Sequence, residues 1–174
     1  MKLTPEISVI IPYFNRKEFL PRTLRSLENQ DIDPSVFKVF IVDDGSNPPL
    51  EIDTAKYSYE IELITHDKNL GLPSALNSAL KKVDTRFFVR IDSDDYVHNR
   101  FLSILRLKFS LDHRTHACAV DYIKVSMEEE IIGVFSFEEE PIGCGIMFRT
   151  EILKIIGLYH EDMHMGEEIE FLQR

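Results

Sequence analysis

Arg90-Ile91-Asp92-Ser93-Asp94-Asp95-Tyr96 closes an apolar stretch that opens at Arg86-Phe87-Phe88-Val89. Aromatic and β-branched residues in a short run read as a buried strand, so three carboxylates arrive together where that strand leaves a sheet. Unscreened, they repel one another. A hard divalent cation, bound through oxygen and shared with a phosphate, relieves that repulsion. The competing reading is a solvated acidic turn that caps a helix beginning near Asn99, because Asp is common at N-caps and in turns.

Working outward, the same strand logic recurs three times upstream. Ile7-Ser8-Val9-Ile10-Ile11 is a nearly continuous β-branched run before Pro12, as expected of a central strand buried on both faces. After Tyr13-Phe14-Asn15-Arg16, a helix is expected over 17–29, with Phe19, Leu20, Leu24 and Leu27 at helical spacing and Pro21 in the first turn. Phe37-Lys38-Val39-Phe40-Ile41-Val42 is a second strand, ending in the sharp turn Asp43-Asp44-Gly45-Ser46. Ile61-Glu62-Leu63-Ile64-Thr65 is a third. The loop His66-Asp67-Lys68-Asn69-Leu70-Gly71-Leu72 follows it, and Pro73 opens a helix over 73–82. Strands alternating with helices give an α/β fold with a mostly parallel central sheet, whose ligands bind beyond the carboxyl ends of the strands. Each polar cluster so far stands at such an end.

Downstream the pattern changes. A helix is expected over 101–109. Residues 117–125 and 130–135 read as paired β segments at a mixed sheet edge, Gly143 to Phe148 as a short strand, and Thr150 as the cap of a helix running to Ile156 and ended by Gly157. Residues 166–174 are helical by pattern. One domain over 1–174 is expected, in two halves, 1–100 and 101–174, with a C-terminal truncation left open.

The 174 residues are enough to bury a continuous core. A hydrophobic fraction of 44% and a charged fraction of 29% fit an ordinary globular chain rather than a disordered one. The net charge of -10 argues against nucleic acid as a partner and makes a cation bridge to any phosphate more useful. Two cysteines, Cys118 and Cys144, form neither a disulfide framework nor a zinc pattern, which points to a reducing compartment. No apolar run approaches the about 20 residues that span a bilayer. A cytoplasmic location is expected, with association at the inner membrane surface left open, as is a homodimer.

With strand one ending in Pro12-Tyr13-Phe14-Asn15, strand two in Asp43-Asp44-Gly45-Ser46 and strand four in Asp92-Ser93-Asp94-Asp95, the chain resembles the family 2 glycosyltransferases of the GT-A fold. Asn69-Leu70-Gly71 with Ala75-Leu76-Asn77, and Gly157-Leu158-Tyr159 through Gly166-Glu167-Glu168 to Arg174, agree with two further blocks of that family, in its order. The resemblance implies a metal-dependent, inverting transfer of sugar from a nucleotide-diphosphate donor, a UDP-sugar foremost. The acceptor hydroxyl would belong to a saccharide, lipid-linked or protein acceptor, as in the building of cell-surface polysaccharide.

It further implies that Pro12, Tyr13 and Asn15 line the nucleotide pocket, that Asp43 accepts the imide N–H of the base, and that Lys68, Asn69 and Gly71 flank it. Asp94 would hold Mn2+ or Mg2+, with Asp92 sharing the metal or facing the donor sugar beside Ser93. Glu168 stands where the family usually has the Asp that acts as base. Its extra methylene moves the carboxylate by about 1 Å, a displacement that can cost roughly a hundredfold in rate. Asp162 is the alternative base, and His160 and His164 beside it could touch metal or acceptor. Arg90 reads as a counter-charge or a phosphate contact, and Cys144 as a small packing residue. Two rival functions stay in view: a nucleotide-sugar-binding protein without catalysis, and a nucleotidyltransferase. The latter usually has a glycine- and basic-rich loop after strand one, where this chain has Pro12-Tyr13-Phe14-Asn15.

Overall fold

The β-branched run at the start becomes β1 (Ile7–Tyr13), with Ile7, Val9 and Ile11 wholly buried on one face and Ile10 on the other. In the computed structural model, which describes residues 4–163 and 166–174, β1 lies between β2 (Phe37–Asp43) and β4 (Phe87–Arg90). β3 (Glu60–Thr65) lies outside β2. These four strands are parallel. β8 (Met147–Arg149) pairs antiparallel with β4, and β5 (Ala117–Cys118) pairs antiparallel with β8, giving the order β3-β2-β1-β4-β8-β5. The expectation of a mostly parallel α/β sheet holds.

Helices cover both faces. α1 (Leu20–Glu28) and α3 (Phe101–Leu111) pack Leu20, Leu24, Leu27, Leu102, Leu105 and Phe109 onto the face carrying Val9, Ile11, Val39 and Val89. α2 (Leu72–Leu80) packs Ala75, Leu76, Ala79 and Leu80 onto the opposite face with Ile10, Phe40 and Val42. Phe171 joins that second core from α5 (Glu167–Gln173), stacked on Tyr159 at 4.1 Å. Phe171 is 1% exposed, and its truncation to Ala would cost about 3–5 kcal/mol.

Four expectations need correction. Residues 117–125 are not one strand: β5 ends at Cys118, and β6 (Tyr122–Val125) leaves the main sheet to form a separate hairpin with β7 (Ile131–Phe135). The strand expected from Gly143 begins only at Met147, because Gly145 has φ +76° and its N–H donates to Arg90 O at 2.9 Å. Thr150 caps no helix. Its hydroxyl has no partner, and a 3-10 turn precedes the short α4 (Leu153–Ile156), which Gly157 ends with φ 77°. α1 begins at Leu20 rather than 17, with Phe19 at its N-cap and no side-chain cap bond.

Register positions the rim. Tyr13, Asp43 and Thr65 lie side by side at the carboxyl ends of three strands. β4 stops level with Ile10, but Ile91 N still donates to Ile10 O at 3.0 Å, which carries the acid run up beside the end of β1. The chain winds outward in opposite directions from β1 and β4. Their carboxyl ends therefore flank the crevice where open α/β sheets take ligands.

Candidate active site

The loops after β1, β2 and β3 are locked to one another by backbone amides. Asp43, with no exposed surface, accepts from Ser46 N (3.0 Å) and Leu50 N (2.8 Å). Asp44 accepts from Leu70 N (2.9 Å) and Gly71 N (2.8 Å), and His66 Nδ1 lies 2.7 Å from it. His66 Nε2 reaches Ser78 on α2 at 2.8 Å. Asn15 adopts φ 52°, a left-handed conformation that Asn tolerates. Its N–H donates to Ser46 Oγ and its Oδ1 accepts from Asn47 N, both at 3.0 Å. Gly45 (φ +72°) is needed because a Cβ there would collide with the backbone of Lys68 and Asn69.

Asp43 therefore does not present a free carboxylate to a base: each oxygen already accepts a backbone N–H, and the residue is sealed from solvent. Tyr13 is likewise a core residue, its hydroxyl pushed up by burial and then by Asp43, while its carbonyl accepts from Asp44 N at 2.9 Å. Lys68 and Asn69 are exposed, and Pro12 and Gly71 are half-buried on the same rim.

The second acid run meets side chains instead. Arg90 Nε lies 2.7 Å from Asp92 Oδ1, and Arg90 Nη2 donates to Asp92 Oδ2 at 3.2 Å. The same guanidinium, through Nη1, pairs with Glu168 in the first turn of α5. Asp94 is turned aside toward Arg16, at 3.6 Å. Asp95 accepts a hydrogen bond from the Cys144 thiol at 3.2 Å. Ser93 is buried, and the one hydroxyl proton of Thr23 on α1 is shared between Ser93 O (2.9 Å) and Asp95 O (2.6 Å). Arg22 Nη2 donates to Asp94 O at 3.2 Å.

One oxygen each from Asp92 and Asp95 and the sulfur of Cys144 lie within 4.8 Å of one another. Asp92 thus lies beside Asp95, with Asp94 on Arg16. Burial first, then Asp92 and Asp95, pushes the Cys144 thiol well up, so the sulfur keeps its proton and serves as donor rather than thiolate ligand. Two carboxylate oxygens remain, a donor set suited to Mg2+ or Mn2+ with phosphate oxygens completing the shell. The protein around Asp95 raises its carboxyl, the Cys144 hydrogen bond opposes that, and Asp92 and Asp94 add to it. A cation would relieve that crowding.

Glu168 is buried, with Oε1 on Arg90 and Oε2 accepting from Tyr159 Oη at 3.0 Å. Burial raises its pKa, while the Arg90 charge and the Tyr159 hydrogen bond pull it back down. Asn77 sets the loop that carries Tyr159: Nδ2 donates to Tyr159 O and Oδ1 accepts from Tyr159 N, both at 2.9 Å. Glu161 accepts from the same amide at 3.0 Å, whereas Asp162 and His160 are exposed. His164 lies outside the described residues. A cleft of about 460 Å3 between α1 and residues 96–99, lined by Arg22, Tyr96 and His98 among others, includes none of the candidate residues. The chemistry belongs to the strand-end rim rather than to that cleft. Thr23, His66 and Tyr159 were not singled out in the sequence, and only their place beside strand-end loops once folded marks them.

A mostly parallel sheet with acids gathered at its switch point is the GT-A arrangement, and solved structures agree. Staphylococcus aureus TarS in complex with UDP superposes with a TM-score of 0.77 at 23% identity, over 95% of this chain and 53% of that one. The mannosyltransferase PcManGT from Pyrobaculum calidifontis, in complex with GDP-Man and Mn2+, gives 0.71 at 19% identity over 97% and 51%. The family model for Glycosyl transferase family 2 matches residues 8–156, so the chain belongs to that family. Among curated relatives, the teichoic acid poly(glycerol phosphate) polymerase of Staphylococcus epidermidis is 27% identical over 165 residues, which are 86% of this chain and 23% of the relative. The chain thus spans about half the length of these solved structures and about a quarter of that relative.

Proposed function

We propose that this chain binds a nucleotide-diphosphate sugar, a UDP-sugar foremost, at the rim between β1 and β4 and transfers the sugar with inversion to an acceptor hydroxyl. The observation that carries this reading is the convergence of Asp92 and Asp95 at the switch point, with the buried Glu168 held on the same guanidinium as Asp92. The teichoic acid polymerase among the relatives supports a cell-surface polymer as the acceptor class. A saccharide, lipid-linked or protein acceptor fits the same chemistry. No described helix is long and apolar enough to cross a membrane.

The nucleotide would lie against Asn15, Lys68 and Asn69, on loops whose shape Asp43 and Asp44 fix. Asp92 and Asp95 would hold Mn2+ or Mg2+, with Asp94 close by on an exposed ion pair of small worth. When bound, the cation supplies charge to offset that developing on the departing diphosphate. Glu168 takes the acceptor hydroxyl proton on a carboxylate oxygen as the new C–O bond forms on the face opposite the leaving group. The C–O bond to the diphosphate breaks and its electron pair leaves with phosphate. Asp162, exposed on the same C-terminal segment, is the second candidate for that proton.

The test is a thermal-shift panel of UDP, GDP and their sugars with and without Mn2+, because a ligand that binds the native state raises its melting temperature, followed by an assay of nucleotide release. Stabilisation by UDP that grows with Mn2+, together with turnover, supports the reading. Binding without release at any loading supports a non-catalytic donor-binding protein. No shift with any nucleotide ends the reading. Loss of turnover in Asp162→Asn but not in Glu168→Gln would move the base to Asp162.

A further inference from the structure

We infer that Arg90 is the positioning residue that couples the donor carboxylate to the acceptor-side base, holding Asp92 and Glu168 on one buried guanidinium. This rests on the function proposed above. Two segments distant in sequence meet on this one residue, beside its near neighbour Asp92. Asp92 is two positions along the same strand end and takes Nε and Nη2. Glu168 comes from α5 and takes Nη1, with Glu167 4.0 Å from the same nitrogen. The 143–145 segment is tied to Arg90 through Gly145 N, which donates to Arg90 O at 2.9 Å.

Gly143 makes the approach possible. A Cβ there would collide with Glu168 Cγ and come within 2.8 Å of Arg90 Nη1, so only glycine leaves room for the pair to close. Both partners are shielded, with side chains 12% and 11% exposed for Arg90 and Glu168. A buried charge without its partner is strongly unfavourable, so neither side chain has a comparable alternative position. The planar fork addresses two carboxylates at once, which a single ammonium cannot do with the same geometry. Burial raises the Glu168 carboxyl, and the guanidinium is the largest influence opposing that rise. Removing Arg90 therefore frees both Glu168 and Asp92 while leaving intact the loops that carry Asn15, Lys68 and Asn69.

The experiment compares the parent chain with Arg90→Gln, Arg90→Lys, Glu168→Gln, Gly143→Ala and the Arg90→Gln/Glu168→Gln double variant. Readouts are Mn2+-dependent UDP release from UDP-glucose, UDP-galactose and UDP-N-acetylglucosamine, UDP affinity by calorimetry, and melting temperature. Arg90→Gln is expected to lower kcat about 100-fold, as a misplaced catalytic group does, with UDP affinity measured without metal within about threefold of the parent. Arg90→Lys should recover about tenfold of that loss by restoring charge without the fork. The double variant should be no slower than the worse single one, because residues that act through one another are not additive. Gly143→Ala displaces Glu168 without removing a charge and should lower kcat at unchanged UDP affinity. If Arg90→Gln does not fold, Arg90→Lys and Gly143→Ala decide.

Unchanged kcat in Arg90→Gln, an equal loss in UDP affinity, or losses that multiply in the double variant would overturn the role of Arg90 and leave the proposed function standing. A folded parent that releases no UDP from any of the three donors overturns both.

Discussion

Two groups of aspartates stand at strand ends of the same sheet, and they differ in what their carboxylates touch. After β2, Asp43 and Asp44 are 0% and 4% exposed, and between them they accept from four backbone amides. After β4, Asp92, Asp94 and Asp95 face side chains: Arg90, Arg16 and the Cys144 thiol. A backbone amide is fixed by the fold and remains a partner in every state that keeps it. Guanidinium and thiol partners can exchange for a cation or a phosphate. Partner type therefore separates the acids that build the rim from those available for chemistry.

The sharpest way to break that contrast is Asp43→Ala. It removes two charge-assisted hydrogen bonds worth roughly 2 kcal/mol each and leaves the Ser46 and Leu50 amides without acceptors, so urea denaturation should show a loss of about 4 kcal/mol. A variant of parental stability that had lost only nucleotide binding would place Asp43 among the ligand-binding acids.

The contrast was only partly visible in the sequence. β1, β2 and β4 were legible because strands buried on both faces read as unbroken apolar runs, and their acid-rich ends followed from the α/β pattern. Asp43 and Asp44 carried no sign that they would meet amides up to 27 residues away. The Arg90 contact with Glu168 spans 78 residues. Neither periodicity nor spacing encodes which of three nearby carboxylates turns toward which partner, so the approach of Asp95 to Asp92 carried no mark in the sequence. The 117–125 segment misled because alternating apolar residues show that a strand exists but not which sheet it joins.

Next in size is the loss of metal-dependent turnover. Asp92→Asn and Asp95→Asn each remove an oxygen from the converging pair, and charge stabilisation worth several kcal/mol is at stake, so UDP release at saturating Mn2+ should fall on the order of 100-fold. Asp94→Asn breaks only an exposed 3.6 Å ion pair and should stay within about threefold of the parent. Melting temperatures of the three should differ little from the parent. A loss confined to Asp94→Asn would show that this side chain leaves Arg16 to take the cation.

A smaller effect belongs to the architectural group. His66→Ala severs the link from Asp44 to Ser78 on α2 but leaves both Asp44 amide bonds intact, so stability should drop by about 1–2 kcal/mol with the Mn2+ dependence unaltered. Altered Mn2+ dependence in that variant would mean that the two groups of acids are coupled across the rim.

The smallest expected effect tests the thiol. Surrounding protein raises the Asp95 carboxyl, and the Cys144 hydrogen bond opposes that rise. Because metal binds the carboxylate form, protons compete with it more strongly the higher this pKa stands. Cys144→Ala removes the donor and should raise the pKa further, weakening Mn2+ binding at pH 5 by about threefold. At pH 8, where fewer protons compete for the carboxylate, the two proteins should bind alike. Cys144→Ser keeps a donor and should match the parent at both pH values, so the Ala–Ser difference isolates the hydrogen bond from the change in volume. A weakening equal at both pH values would instead mean that sulfur itself ligates the metal, and the side-chain-partnered group would then include Cys144 as a ligand.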